Sequence, residues 1–314
     1  MAELITIGEP LVVLASKDLN VGLIDSQNFC KQLGGAELNV LIGAARLGHS
    51  TDYISMVGED PFGEYIIKEI AHHEVGNRYI NRNSEHWTGF YLKELVDEGN
   101  PSTYYFRKGS AAAHMDKSVI DDIDFSDVKW AHLSGVFPAI SLQARETYSY
   151  FVEKLTERGI HTTFDPNLRP TLWKDEETMR QVINFLAKSG EIVMPGIEEG
   201  RILTGLKQPE EIADYYLEQS NVTQAVIVKL GPAGAYVKTK SGESYQVKGF
   251  TVEKVVDTVG AGDGFALGVL TSLLEGQSME EAVRRGCAIG ALSVMTPGDN
   301  DGYPTREQLD AFII

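Results

Sequence analysis

The sequence predicts an α/β fold in three layers: a mostly parallel central sheet with helices on both faces, plus a small β-sheet acting as a lid. Two observations carry this prediction. Short apolar, β-branched runs alternate with helix-length amphipathic segments over nearly the whole chain, as βα units do. Residues 87–110 break that rhythm with two aromatic-rich strand patterns either side of a polar turn.

The strand patterns of the main sheet fall at 4–7, 52–57, 131–134, 162–165, 192–194 and 225–229. Helix patterns lie at 37–47, 62–72, 142–156, 178–188 and 209–219. Two more, 265–274 and 279–295, are dominated by small and apolar residues and read as helices buried tightly on the sheet. Strand patterns 87–96 and 103–108 flank Asp97-Glu98-Gly99-Asn100-Pro101-Ser102, which reads as a hairpin turn. With 11–15 and 29–33 they would form a separate antiparallel sheet, so that lid strands occupy roughly 10–33 and 87–110; the competing reading is an edge extension of the main sheet. No repeat or low-complexity linker divides the chain, so 1–314 reads as a single domain.

Composition narrows the function. A net charge of −17 argues against nucleic acid or an anionic membrane surface as partner, since either calls for a basic face. A small anionic substrate stays compatible, because a few arginines and Mg²⁺ can reverse the sign of one pocket. Two cysteines, Cys30 and Cys287, make no disulfide framework or zinc site and suit a reducing cytoplasm. Neither a signal peptide nor a membrane-length apolar run is visible.

The most informative segment is Asp257-Thr258-Val259-Gly260-Ala261-Gly262-Asp263, where an apolar run ends in a turn of small residues at a helix start. Small residues let backbone N–H groups of Gly260, Ala261 and Gly262 converge on an anion beside the positive end of the helix dipole. An ordinary cap explains part of this pattern. An acid inside an anion hole makes chemical sense if Asp263 handles a proton while the turn handles charge, as in phosphoryl transfer. The helix dipole is expected to lower the pKa of Asp263 and leave it a weak base, tolerable where the transition state is loose.

Other candidates follow. Gly34 and Gly35 let a ligand approach the backbone ahead of a helix, and Asn39 offers donor and acceptor. Strand alternation puts Tyr105 and Arg107 on one face, opposite Tyr91, a set suited to a polyhydroxylated anion or to a plain surface pair. Asp165, Asn167 and Arg169 end a central strand pattern, where open α/β sheets bind ligands. Lys229, Gly231 and Gly234 could shape a nucleotide pocket, although neither a P-loop nor a Rossmann fingerprint is present. Pro297–Gly302 reads as an acidic turn, and composition alone leaves it a solvated loop.

Together and in this order, Gly34-Gly35-Ala36-Glu37-Leu38-Asn39 with Gly48 and Gly58, and the Asp257–Asp263 run, resemble the two signatures of the ribokinase-like (PfkB) carbohydrate kinases. The resemblance implies that Asp263 is the catalytic base and that Gly260, Ala261 and Gly262 form the anion hole. It implies ATP and Mg²⁺ as cofactors, with room for a monovalent cation, and nucleotide contacts from Lys229, Gly231, Gly234, Gly260 and Gly262. Within the family the chain looks most like members acting on a keto-deoxy sugar acid, which implies substrate contacts from Gly34, Gly35, Asn39, Tyr91, Tyr105, Arg107, Arg169 and Asp299. Two arginines in one pocket would then meet a substrate carboxylate, since a neutral sugar would leave them unpaired. Pairing of lid strands between subunits, hence a homo-oligomer, is also implied. Two departures stand out. Gly196 occupies the place of the family's Asn in Asn-x-x-Glu, leaving Glu199 to organise Mg²⁺ through water, and Leu267 replaces a usually small residue.

Overall fold

The computed structural model describes residues 2–97, 99 and 101–313. Its strands are β1 (Leu4–Ile7), β2 (Leu11–Leu19), β3 (Phe29–Gly34), β4 (Thr51–Gly58), β5 (Gly76–Asn83), β6 (Phe90–Leu95), β7 (Thr103–Phe106), β8 (Trp130–Ser134), β9 (His161–Asp165), β10 (Ile192–Val193), β11 (Ala225–Lys229), β12 (Ala235–Thr239) and β13 (Ser244–Val247). The helices are α1 (Ala36–Arg46), α2 (Pro61–His72), α3 (Leu142–Glu157), α4 (Glu176–Ala187), α5 (Ile197–Thr204), α6 (Pro209–Glu218), α7 (Ala261–Leu274), α8 (Met279–Ser293) and α9 (Arg306–Ile313).

The main sheet has nine strands among the described residues, in the order β13-β12-β11-β10-β9-β8-β1-β4-β5. Pairing is parallel from β11 to β5, while β12 and β13 add an antiparallel edge. Alternation along a strand divides its side chains between two cores. Ala225 and Ile227 face the core shared with α1, α2, α7, α8 and α9, whereas Val226 and Val228 face the core shared with α3, α4, α5 and α6. Polar caps fix where helices start: Asp60, Ser141, Asp175 and Ser278 each accept a backbone N–H of the first turn of α2, α3, α4 and α8.

The four lid strands form their own sheet, β3-β2-β6-β7, and do not extend the main one. It is not wholly antiparallel: β2 pairs with β6 in parallel, because the chain leaves the lid after β3 and returns to it only after β5. Glu98 and Asn100 of the expected hairpin turn lie outside the described residues; the strands either side of it do pair antiparallel, with Tyr91 opposite Tyr105. Strand β7 stops at Phe106, so Arg107 lies just beyond the strand expected to contain it.

Five elements escaped the sequence patterns: β5, β12, β13, α5 and α9. The strands are edge or near-edge strands with mixed polar faces, and both helices span only eight residues. Leu267 has a structural counterpart in α1. A Cβ on Gly43 would lie 2.1 Å from Leu267 Cδ2, so the absence of a side chain at Gly43 makes room for the larger one on α7.

Candidate active site

The C-terminal edge of the parallel strands collects the polar residues. Glu9 follows β1, Asp165 ends β9, Gly196 follows β10 and Lys229 ends β11. Asp263 comes to this edge from the first turn of α7.

Asp263 is buried, and both of its oxygens are held. Asn39 Nδ2 donates to Oδ2 at 2.9 Å and Asn167 Nδ2 donates to Oδ1 at 3.0 Å. Each amide is itself fixed. Asn39 Oδ1 accepts from Asn300 Nδ2 at 3.0 Å. Asn167 takes a left-handed backbone conformation (φ 41) braced by Asp165 Oδ1, which accepts its N–H at 3.1 Å. Contrary to the dipole expectation, the Asp263 carboxyl is pushed up to about 7, because burial outweighs the Asn39 hydrogen bond and the nearby Arg169 charge, while Asp165 and Asp299 push the same way as burial. That value suits a general base near neutral pH. Gly260 caps α7 at φ 78 and presses on the next loop: a Cβ there would lie 1.9 Å from the carbonyl oxygen of Asp299.

Asp263 lines a polar cavity of about 500 Å³ roofed by the lid. Gly35, Asn39, Tyr91, Tyr105, Arg107, Arg169 and Asp299 all reach it. Gly34 stands behind them, its Cβ position 3.2 Å from Asp299 Oδ2. Tyr91 and Tyr105 stack at 4.8 Å, and Tyr91 Oη donates to Asp299 Oδ2 at 3.1 Å. The 297–302 segment is thus no solvated loop: Asn300 is buried and Asp299 faces the cavity.

The two arginines differ. Arg107 is buried and paired with Glu9, Nε at 2.6 Å and Nη2 at 2.5 Å from Oε2, while Ser110 Oγ donates to Oε1. Its charge is therefore already met, which corrects the expectation of two unpaired cations. Arg169 is exposed and makes no ion pair among the described residues. Sequence reasoning missed Glu9. The available signal was an acid in Gly8-Glu9-Pro10, directly after the first strand.

A second, apolar cavity of about 470 Å³ adjoins the first and shares Glu199, Lys229, Thr258 and Gly262 with it. Phe250, Val255, Phe265 and Val294 line it together with Gly231, Gly234 and Ala261; Gly260 faces the first cavity instead. Lys229 Nζ donates to Asp165 Oδ2 at 2.6 Å. Burial opposes its charge, yet the Asp165 and Glu199 carboxylates hold the ammonium above its ordinary range. Glu199 caps α5, accepting N–H groups of Leu168 at 2.8 Å and Gly196 at 2.7 Å, and burial raises its pKa. Among the described residues no group of three His, Cys, Asp or Glu could hold a metal ion, and no helix is long and apolar enough to cross a membrane.

Comparison with known proteins adds to this geometry. A model of the pfkB family carbohydrate kinases matches residues 1–306. The 2-dehydro-3-deoxygluconokinase of Bacillus subtilis (strain 168) is 43% identical over 310 residues, 98% of this chain and 94% of that protein. A PfkB protein from Polaromonas sp. JS666 superposes with a TM-score of 0.90 at 40% identity, covering 99% of this chain and 100% of the other. A putative ribokinase II from E. coli, in complex with ATP and Mg²⁺, gives a TM-score of 0.89 at 26% identity, covering 100% and 99%. The βα rhythm, the separate lid sheet and the family match thus converge: the chain belongs to the pfkB family of carbohydrate kinases and is a sugar kinase of ribokinase-like fold.

Proposed function

We propose that the enzyme transfers the γ-phosphoryl group of ATP to the terminal hydroxyl of 2-keto-3-deoxygluconate, giving the 6-phosphate and ADP. The observation that carries this reading is Asp263, held by two amides beside the Gly260–Gly262 turn where the two cavities join. The sugar lies under the lid and the nucleoside in the apolar cavity, whose size suits it. As the C6 oxygen bonds to the γ-phosphorus, its proton passes to Asp263, the bond from phosphorus to the β,γ-bridging oxygen breaks, and ADP departs. N–H groups of the turn meet the charge on the phosphoryl oxygens.

Mg²⁺ fits this site as an ion brought by the phosphates, since the protein offers no cage of its own among the described residues. Bound there it would neutralise phosphate charge, and Glu199, which lines both cavities, would hold it through water.

Arg169 supports an acidic substrate: a cation at the cavity that has no ion-pair partner among the described residues suits a sugar-acid carboxylate. The Bacillus subtilis relative, whose name denotes the same sugar acid, supports it as well. One observation favours a second reading, a neutral-sugar kinase such as a fructokinase, because Glu9 already neutralises Arg107. An ATP-coupled assay with the sugar acid, fructose and ribose decides between them. Preference for a neutral sugar defeats the substrate assignment and leaves the kinase class standing. A non-catalytic binding protein on this scaffold is excluded by any turnover that Asp263→Asn abolishes.

The chain works, in this reading, as one kinase domain that pairs with a second copy through the lid. Edge strand β7 is exposed along all four residues, including Tyr104 and Phe106. Light scattering that gives a monomer at micromolar concentration would reject the pairing.

A further inference from the structure

Lys93 is a buried cation outside the machinery described so far. It lies on lid strand β6, two residues beyond Tyr91 and on the same face, with its side chain only 9% exposed. Its ammonium donates to Asp257 Oδ2 at 2.8 Å and lies 3.8 Å from Asp299 Oδ1. Both residues also touch the anion-hole turn, Asp257 through its carboxylate and Asp299 through its backbone. Asp257 Oδ1 accepts the N–H of Val259 at 3.0 Å, just before Gly260. Asp299 supplies the backbone against which Gly260 packs.

That approach to the turn is otherwise held by a few hydrogen bonds. The stretch before Gly260 belongs to no helix or strand, and Val255, Val256 and Val259 are exposed. Its other ties are the N–H groups of Val256 and Asp257, which donate to the Val294 carbonyl at 2.7 and 3.3 Å, the Thr258 carbonyl, which accepts the N–H of Ala261 at 3.4 Å, and the hydroxyl of Tyr303, which donates to the Gly260 carbonyl at 2.9 Å. Thr258 and Gly262 line both cavities, so a shift of this stretch changes the walls of both at once.

We propose that Lys93 is a positioning residue for phosphoryl transfer: its ammonium ties the sugar-side lid to the turn, so that sugar and nucleotide each tighten the binding of the other. The inference rests on the reading that the turn cradles phosphate. An exposed ion pair would be a weak tie, but this one is sheltered, and removing one partner leaves a carboxylate buried without its counter-charge. Coupling between the two ligands is necessarily reciprocal and can be read from either side.

The experiment measures the Kd of a non-hydrolysable ATP analogue by calorimetry, with and without saturating 2-keto-3-deoxygluconate, alongside steady-state kinetics. Wild type is expected to bind the nucleotide about fivefold or more tightly with sugar present, within the usual range of coupling. Lys93→Met should bring that ratio below about twofold and lower kcat at least tenfold, with nucleotide affinity in the absence of sugar unchanged; Lys93→Arg should restore both. Asp257→Asn, which cuts the same tie from the other end, should reproduce the loss and add little to Lys93→Met, and it stands in if Lys93→Met fails to fold. An unchanged ratio in Lys93→Met, a wild-type ratio of one, or equal impairment in Lys93→Arg overturns the proposal. Failure of the underlying reading shows separately, as turnover that survives Asp263→Asn.

Discussion

Asn39 on α1 and Asn167 just after β9 each take one oxygen of the Asp263 carboxylate, at 2.9 and 3.0 Å. The carboxylate therefore cannot rotate without breaking a buried hydrogen bond, and the lone pairs left free point where the amides leave room. Positioning of this kind accounts for much of phosphoryl-transfer catalysis.

Titration of Asp263 sets the pH behaviour. In its proposed role as base it must be unprotonated, so kcat/KM should rise with pH and level off above a midpoint near 7. Stability runs the other way. Between 3.8 and about 7 the folded protein binds a proton that the unfolded chain has released, so this group's contribution falls as pH rises through that window. Asp263→Asn should lose turnover by about a thousandfold or more, still bind ATP, and melt above wild type at pH 8, with the gap closing towards pH 4. A variant that melts below wild type at pH 8 would contradict the burial argument.

Asn167→Gly separates backbone from side chain. Glycine accepts the left-handed backbone without strain, so melting temperature should hold or rise, while loss of the amide should lower kcat about ten- to a hundredfold. Unchanged kcat would mean that Asn39 alone orients the base.

The Glu9–Arg107 pair is testable by a double-mutant cycle. Removing either partner leaves a buried charge and should cost about 3–5 kcal/mol in denaturant unfolding. The double variant Glu9→Met with Arg107→Met should recover most of that stability but not the KM for sugar. Additive losses would show that the two residues act separately.

Gly43 and Leu267 offer a packing test away from the chemistry. Gly43→Ala should destabilise by about 1–3 kcal/mol, since its Cβ would enter the space of the leucine. Adding Leu267→Ala should cost less in that background than in wild type, measured by chemical denaturation. An equal cost would mean that the helices shift apart to absorb the methyl group.

Legibility in the sequence followed the locality of the signal. The turn at Gly260–Gly262 and the acid beside it are contiguous, so chemistry and spacing could be read together. Tyr91 and Tyr105 were legible because strand alternation is a local rule, and the register places them directly opposite. The partner of Arg107 was not, because Glu9 lies 98 residues away and only the fold brings the two together. The same holds for Lys93 and Asp257, 164 residues apart. The pKa of Asp263 was misjudged because a helix end is visible in sequence while the depth of burial is not. Among strands, β1 and β11 announced themselves through mostly apolar, buried runs; β5 and β13, rich in polar residues at the sheet margin, did not.

The lid sheet has an evolutionary consequence. Tyr91, Tyr105 and Arg107 stand on or beside strands set apart from the main sheet, whereas Asp263 and its turn ride on a helix packed in the core. Under the proposed function, inherited changes at the former would act first on which carbohydrate is accepted, and would reach the turn through the Tyr91–Asp299 and Lys93–Asp257 contacts. Substrate choice and phosphate handling would then change together only where a substitution falls on those contacts.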